Sequence, residues 1–128
     1  IAVVGLNPHC GDGGIFGLEE IKFILPALKI AQQEGIQASG PYPADALFQR
    51  VASEKYDAVI CMYHDQGMIP VKMNGMSVNI TMGLPILRTS VDHGTAYDIV
   101  GRNKASAENL KLALKTAGRL SQSSLSMQ

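Results

Sequence analysis

The chain has 128 residues, 46% hydrophobic and 17% charged, with 11 basic and 11 acidic side chains and a formal net charge of zero. That balance excludes the basic footprint of a nucleic-acid binder and the polybasic handle of a membrane-surface protein, and the length suits one hydrophobic core. No apolar run approaches the roughly 18 residues a membrane span needs, and no charged segment followed by an apolar one marks a signal peptide.

In chain order, residues 1–5 (IAVVG) form a short β-branched run that fits a buried parallel strand already in full stride. A strand with no lead-in is expected of a piece of a longer chain. Residues 6–17 (LNPHCGDGGIFG) read as a glycine-rich loop. Residues 18–35 read as a helix, with Leu18, Ile21, Leu25, Leu28 and Ala31 recurring at helical spacing. Glu19 and Glu20 suit its first turn, Pro26 predicts a kink or two consecutive helices, and Gly35 suits its close. A second strand is expected over 36–40, a helix from about Ala44 with Ala46, Leu47 and Val51 on one side, and a third strand over 57–63.

Residues 77–82 (SVNITM) and 85–90 (PILRTS) are two more strands, separated by a Gly-Leu-Pro turn. Residues 93–101 predict a short helix ended by Gly101. Residues 106–120 form an amphipathic helix with Ser106 as N-cap and Leu110, Ala113, Leu114 and Ala117 as its buried stripe. Residues 121–128 are expected to be a disordered polar tail. Strands alternate with helices, so the class is α/β with a largely parallel sheet and flanking helices. In such sheets ligands bind at the carboxyl ends of the strands, where the polar clusters of this chain fall.

His9 follows the first strand and His64 the third, so both lie on one sheet edge. Imidazole is the commonest metal ligand, but a metal site normally takes three or more protein ligands; two hydrogen-bonded loop histidines is the competing reading. Gly11, Gly13, Gly14 and Gly17 do not have the G-x-G-x-x-G spacing, and the second strand ends in Gly-Pro without an acidic residue. A turn cluster packing a helix on a strand is therefore favoured over a dinucleotide phosphate loop. Lys72, Asn79 and Arg88 sit in or beside apolar strand-like runs. They suit either a phosphorylated acid or a solvated edge. Asp92, His93, Thr95 and Asp98 surround Gly94, in a loop that either closes on a nucleotide or caps a helix through Asp92. Cys10 and Cys61 form no C-x-x-C pair, and reduced thiols in a cytosolic protein are expected.

Taken in order, GLNPHCGDGGIFGLEE, GPYPADALF, MYHDQGMIPVK and VNITMGLPILRTSVDHGTAYDIVG resemble the C-terminal half of the 4-hydroxythreonine-4-phosphate dehydrogenase family over about residues 1–120. HGTAYDIVG is also similar to a loop of the isocitrate and isopropylmalate dehydrogenases, so an isocitrate/isopropylmalate dehydrogenase-like fold is implied, in a partial chain. The resemblance implies NAD-dependent oxidation and decarboxylation of 4-phosphooxy-L-threonine to 3-amino-2-oxopropyl phosphate, in pyridoxal phosphate (vitamin B6) biosynthesis. It implies a divalent metal (Zn, Mg, Mn or Co) with His9 and His64 as two of three histidine ligands. Asp65 and Asp45 match carboxylates near the metal, with acid–base or supporting roles. Lys72, Asn79 and Arg88 match substrate-binding positions, and His93, Gly94 and Thr95 match the loop near the NAD adenosine. A cytoplasmic homodimer is implied, with no nucleic-acid or membrane partner. The third histidine is expected outside this stretch, so the stretch alone is expected to be inactive.

Cys10 stands where the family has a small residue and Asp12 where it has Glu, and the Lys72–Asn79 connection is about two residues shorter. A 4-phospho-D-threonate or erythronate dehydrogenase of the same family is the alternative substrate reading. A non-catalytic module, and a metal-dependent hydrolase without NAD, are the alternatives from other classes.

Overall fold

The computed structural model describes residues 1–125 and divides the chain into two compact units, Ile1–Val71 and Lys72 onward. The first is built on a parallel three-stranded sheet in the order β2-β1-β3, with β1 at Ala2–Val4, β2 at Ser39–Tyr42 and β3 at Val59–Ile60. The central strand is apolar on both faces because helices cover both. Val3 packs on one side with Ile24, Leu28 and Ala38. Ala2 and Val4, one residue out of phase, pack on the other with Leu47.

Ile24 and Leu28 come from the first helical segment. Pro26 splits it as expected: a π-helical turn over Glu20–Ile24 runs into α1, Leu25–Gln33. Proline has no N–H for the α ladder, and the wider turn absorbs the fault. The π turn also rotates the buried face. The expected stripe of Leu18, Ile21 and Leu25 is exposed, and the buried line is Glu20, Ile24 and Leu28. Gly35, at positive φ, closes α1: its N–H donates to Gln32 O (3.1 Å) and that of Ile36 to Ala31 O (3.0 Å). Residues 35–36 are still ending the helix, so β2 starts at Ser39 and not at the expected position 36.

Leu47 comes from α2, Ala44–Arg50. After β3, much shorter than its apolar run suggests, the chain enters α3, His64–Met73, which contains Pro70.

The second unit pairs β4, Val78–Thr81, with β5, Arg88–Val91. This pair is antiparallel and forms its own two-stranded sheet, so the parallel arrangement is confined to the first unit. One 3-10 turn, Tyr97–Ile99, stands in place of the expected short helix. Then α4, Glu108–Leu125, packs on the hairpin, and Thr89 Oγ1 donates to Ala113 O at 3.1 Å. Ser106 Oγ accepts the Glu108 N–H at 3.3 Å, the expected capping contact. Ala113 is buried, but Leu110 and Leu114 are 54% and 64% exposed, so the buried face is centred about a quarter-turn from the predicted stripe. The helix continues through Leu125, into the stretch expected to be a polar tail; residues 126–128 of that tail lie outside the described residues. Among the described residues no helix is long and apolar enough to cross a membrane.

Candidate active site

Three parallel strands put three following turns on one edge. The turn after β1 carries His9, the turn after β2 leads into α2 with Asp45 in its first turn, and the turn after β3 leads into α3 with His64 and Asp65. His64 and Asp65 open a helix; they do not sit in an irregular loop.

The turn after β1 is conformationally costly. Five successive residues are left-handed: His9 (φ 53°), Cys10 (54°), Gly11 (79°), Asp12 (43°) and Gly13 (65°). Each non-glycine residue there costs of order 1–2 kcal/mol, so the surroundings must hold the turn. Glu20 does so from the π turn. Its carboxylate, only 2% exposed, accepts N–H bonds from Leu6 (2.8 Å) and Asn7 (2.7 Å), and from the Asn7 side-chain amide (2.9 Å). Asn7 also donates to Glu19 at 2.7 Å. Burial disfavours the Glu20 anion, but the donated hydrogen bonds outweigh it and hold the carboxyl below the usual carboxylate range. Burial, and then the charges of Glu20 and Asp45, push the Cys10 thiol up.

A Cβ on Gly11 would stand 2.9 Å from both Glu20 Oε2 and Gly17 O, whereas one on Gly13 would meet nothing within 4 Å. Gly11→Ala is therefore expected to destabilise by about 2–3 kcal/mol and Gly13→Ala by about 1 kcal/mol, since only the first adds a clash to the left-handed cost. Urea denaturation of the two variants checks this. Equal losses would mean that the Glu20 contact does not constrain the turn.

His64 Nδ1 lies 2.8 Å from Asp65 Oδ1. A carboxylate only accepts, so in the neutral imidazole Nδ1 carries the proton and Nε2 the lone pair. Gln66 ties this turn to the first: its Oε1 accepts the Met62 N–H (2.8 Å) and its Nε2 donates to Gly5 O (2.7 Å).

The second unit holds the other predicted residues. In the hairpin Thr81 pairs with Arg88 and Asn79 with Ser90, so Asn79 and Arg88 share one face. The opposite face, which carries Thr89, is the one bonded to α4. Arg88 Nη1 donates to Thr81 Oγ1 at 2.9 Å. Lys72 Nζ lies 3.1 Å from Asp92 Oδ1 and also donates to the Asp92 carbonyl, while Ser77 donates to the other Asp92 carboxylate oxygen. Asp92 thus braces Lys72, and the following 3-10 turn, with Ala96 at its N-cap, has no side-chain capping hydrogen bond. His93 Nδ1 donates to Gly94 O at 3.0 Å. His93 and Gly94 line an open cleft of about 740 Å³ with Met76, Ala96, Lys104 and Asn109; Thr95 lies between Gly94 and Ala96 and is exposed.

For a divalent ion the donors fit in kind but not in number. A carboxylate-paired imidazole at His64 and the imidazole of His9 are suitable ligands. Among the described residues, however, no three His, Cys, Asp or Glu side chains gather to hold one.

Sequence reasoning places Glu20 only as a first-turn acid and misses Asn7 and Gln66. Their only local sign is position, two residues from His9 and two from His64.

The family model described as pyridoxal phosphate biosynthetic protein PdxA matches residues 1–117. A 4-hydroxythreonine-4-phosphate dehydrogenase of Geobacter metallireducens is 57% identical over 94% of this chain and 36% of its own length. A Symbiobacterium thermophilum protein provisionally named D-threonate 4-phosphate dehydrogenase is 52% identical over 93% of this chain and 36% of its own. The crystal structure of the Klebsiella pneumoniae 4-hydroxythreonine-4-phosphate dehydrogenase superposes with a TM-score of 0.78 at 47% identity, over 91% of this chain and 36% of that one. The chain thus spans about a third of the length of the curated relatives it matches.

Proposed function

The chain belongs to the PdxA family of pyridoxal phosphate biosynthetic proteins, and from that premise we propose that it works as part of an NAD- and metal-dependent 4-hydroxythreonine-4-phosphate dehydrogenase. The reaction oxidises the C3 hydroxyl of 4-phosphooxy-L-threonine, passing a hydride to NAD and a proton to a base. Loss of CO2 from the β-keto acid then leaves 3-amino-2-oxopropyl phosphate. The observation that supports this most is the pair of histidine-bearing turns on adjacent parallel strands, in a chain whose relatives are named dehydrogenases.

In this reading His9 and His64 provide two ligands of a divalent ion, and a segment beyond the aligned stretch provides the third. The bound ion would supply Lewis acidity toward the substrate oxygens. Asp65 keeps the His64 proton on Nδ1 and so keeps Nε2 available. Asp45 is the candidate acid–base group, exposed at the start of α2. The Arg88 fork and the Lys72 ammonium bind the phosphate and carboxylate, with Asn79 adding a hydrogen bond. His93, Gly94 and Thr95 take the adenosine end of NAD at the second unit's cleft. The full enzyme acts as a cytoplasmic homodimer.

The test is NADH formation at 340 nm by the full-length enzyme carrying this stretch, offered 4-phosphooxy-L-threonine and 4-phospho-D-threonate in parallel, with and without chelator. Chelator-sensitive turnover of the first alone supports the reading. Turnover of the second alone moves the protein to the D-threonate 4-phosphate branch, to which the 52% identical relative points. No turnover of either sinks both. Arg88→Ala is expected to raise KM for the phosphorylated acid about 10- to 100-fold with a smaller change in kcat, as loss of a charged hydrogen bond does. An unchanged KM would remove Arg88 from the substrate site.

A further inference from the structure

The tripeptide Gly5–Leu6–Asn7 is gripped from two sides. Glu20 takes the Leu6 and Asn7 N–H groups on one carboxylate oxygen and the Asn7 side chain on the other. Gln66 donates to the Gly5 carbonyl and accepts the Met62 N–H. Both grips span the chain, 13–14 residues for the Glu20 backbone bonds and 61 for Gln66–Gly5. His9 begins the left-handed run two residues past this anchor, and His64 stands two residues before Gln66.

Neither imidazole is held by burial, since both histidines are exposed; the His9 ring pairs with the Phe16 ring at 6.4 Å between centroids. Their directions are therefore set by the turns that carry them, with His64 also held by its hydrogen bond to Asp65. The backbone of the His9 turn is one that non-glycine residues adopt only under constraint. Glu20 supplies that constraint as an internal anion, taking N–H groups that the strand end leaves without a ladder partner.

We propose that Glu20 and Gln66 are positioning residues: through the shared Gly5–Asn7 anchor they hold the His9 and His64 turns in fixed register. This rests on the reading that the two histidines are ligands, and it assigns the precision of that pair to two side chains that would touch neither substrate nor metal. Glu20→Gln keeps the shape but replaces one acceptor oxygen with a donor. Gln66→Leu keeps the bulk but removes both bonds.

The experiment combines hydrogen exchange by mass spectrometry with Co²⁺ titration of the full-length enzyme, using both variants and His9→Ala. Each positioning variant is expected to speed exchange in segments 6–16 and 61–67 at least tenfold, to leave β1 and α1 protected, and to weaken Co²⁺ binding about 10- to 100-fold. His9→Ala is expected to weaken Co²⁺ binding without loosening the segments. Wild-type exchange and Co²⁺ affinity in both positioning variants would overturn the proposal, as would loosening spread evenly over the whole fold. If Glu20→Gln does not fold, Gln66→Leu decides alone. Unchanged Co²⁺ affinity in His9→Ala would instead defeat the ligand reading, and the exchange data would still decide whether the two turns share one anchor.

Discussion

His64→Ala in the full-length enzyme is expected to lower turnover at least about a thousandfold, equivalent to about 4 kcal/mol of lost transition-state stabilisation. The same change should weaken divalent-metal binding. Its Nδ1 is committed to Asp65 at 2.8 Å, so Nε2 is the nitrogen left to coordinate. Alanine removes that donor from an exposed position, and so the fold should lose little. Asp65→Asn separates coordination from support: an amide can still accept the Nδ1 proton but carries no charge, and a loss smaller than that of His64→Ala is expected. Steady-state kinetics with metal analysis checks both. Full metal content and wild-type turnover in His64→Ala would remove His64 from the site.

Leu47→Ala is expected to cost about 3 kcal/mol, because it opens a cavity directly beneath the central strand. Leu47 is 0% exposed and packs against Ala2 and Val4. Leucine-to-alanine changes in such cores cost about 2–5 kcal/mol, the transfer term plus the cavity. Leu114→Ala, at 64% exposure, is expected to stay within about 0.5 kcal/mol in this chain. Urea denaturation followed by circular dichroism compares the two. A Leu114→Ala loss as large as that of Leu47→Ala would mean that the face of α4 read from the sequence is buried after all.

The contrast between Leu47 and Leu114 marks how far sequence patterns reach. Spacing assigns both to buried helix faces. Only Leu47 has an apolar strand opposite it. Along α4 the face packed on the hairpin is the one with Ala113, because its small side chain lets the helix approach Thr89 closely enough for a side chain-to-backbone hydrogen bond. Periodicity identifies an amphipathic helix but does not say which neighbour arrives, or on which side.

Residue chemistry read along the chain is enough for the α/β class, the central apolar strand, the break at Pro26, the positions of His9 and His64 after two strands, and the motifs that make the family recognisable. These follow from local causes: β-branching, a missing proline N–H, and short runs of residues read in order. Long-range packing settled the remainder. It set the helical setting of His64, the rotated face of α4, and the separate antiparallel hairpin. It also brought Glu20 and Gln66 onto Gly5–Asn7, pairings that a sequence cannot display because hydrogen bonds across 13 to 61 residues leave no periodic trace. A buried carboxylate looks the same as a solvated one until the amides it must satisfy are in place.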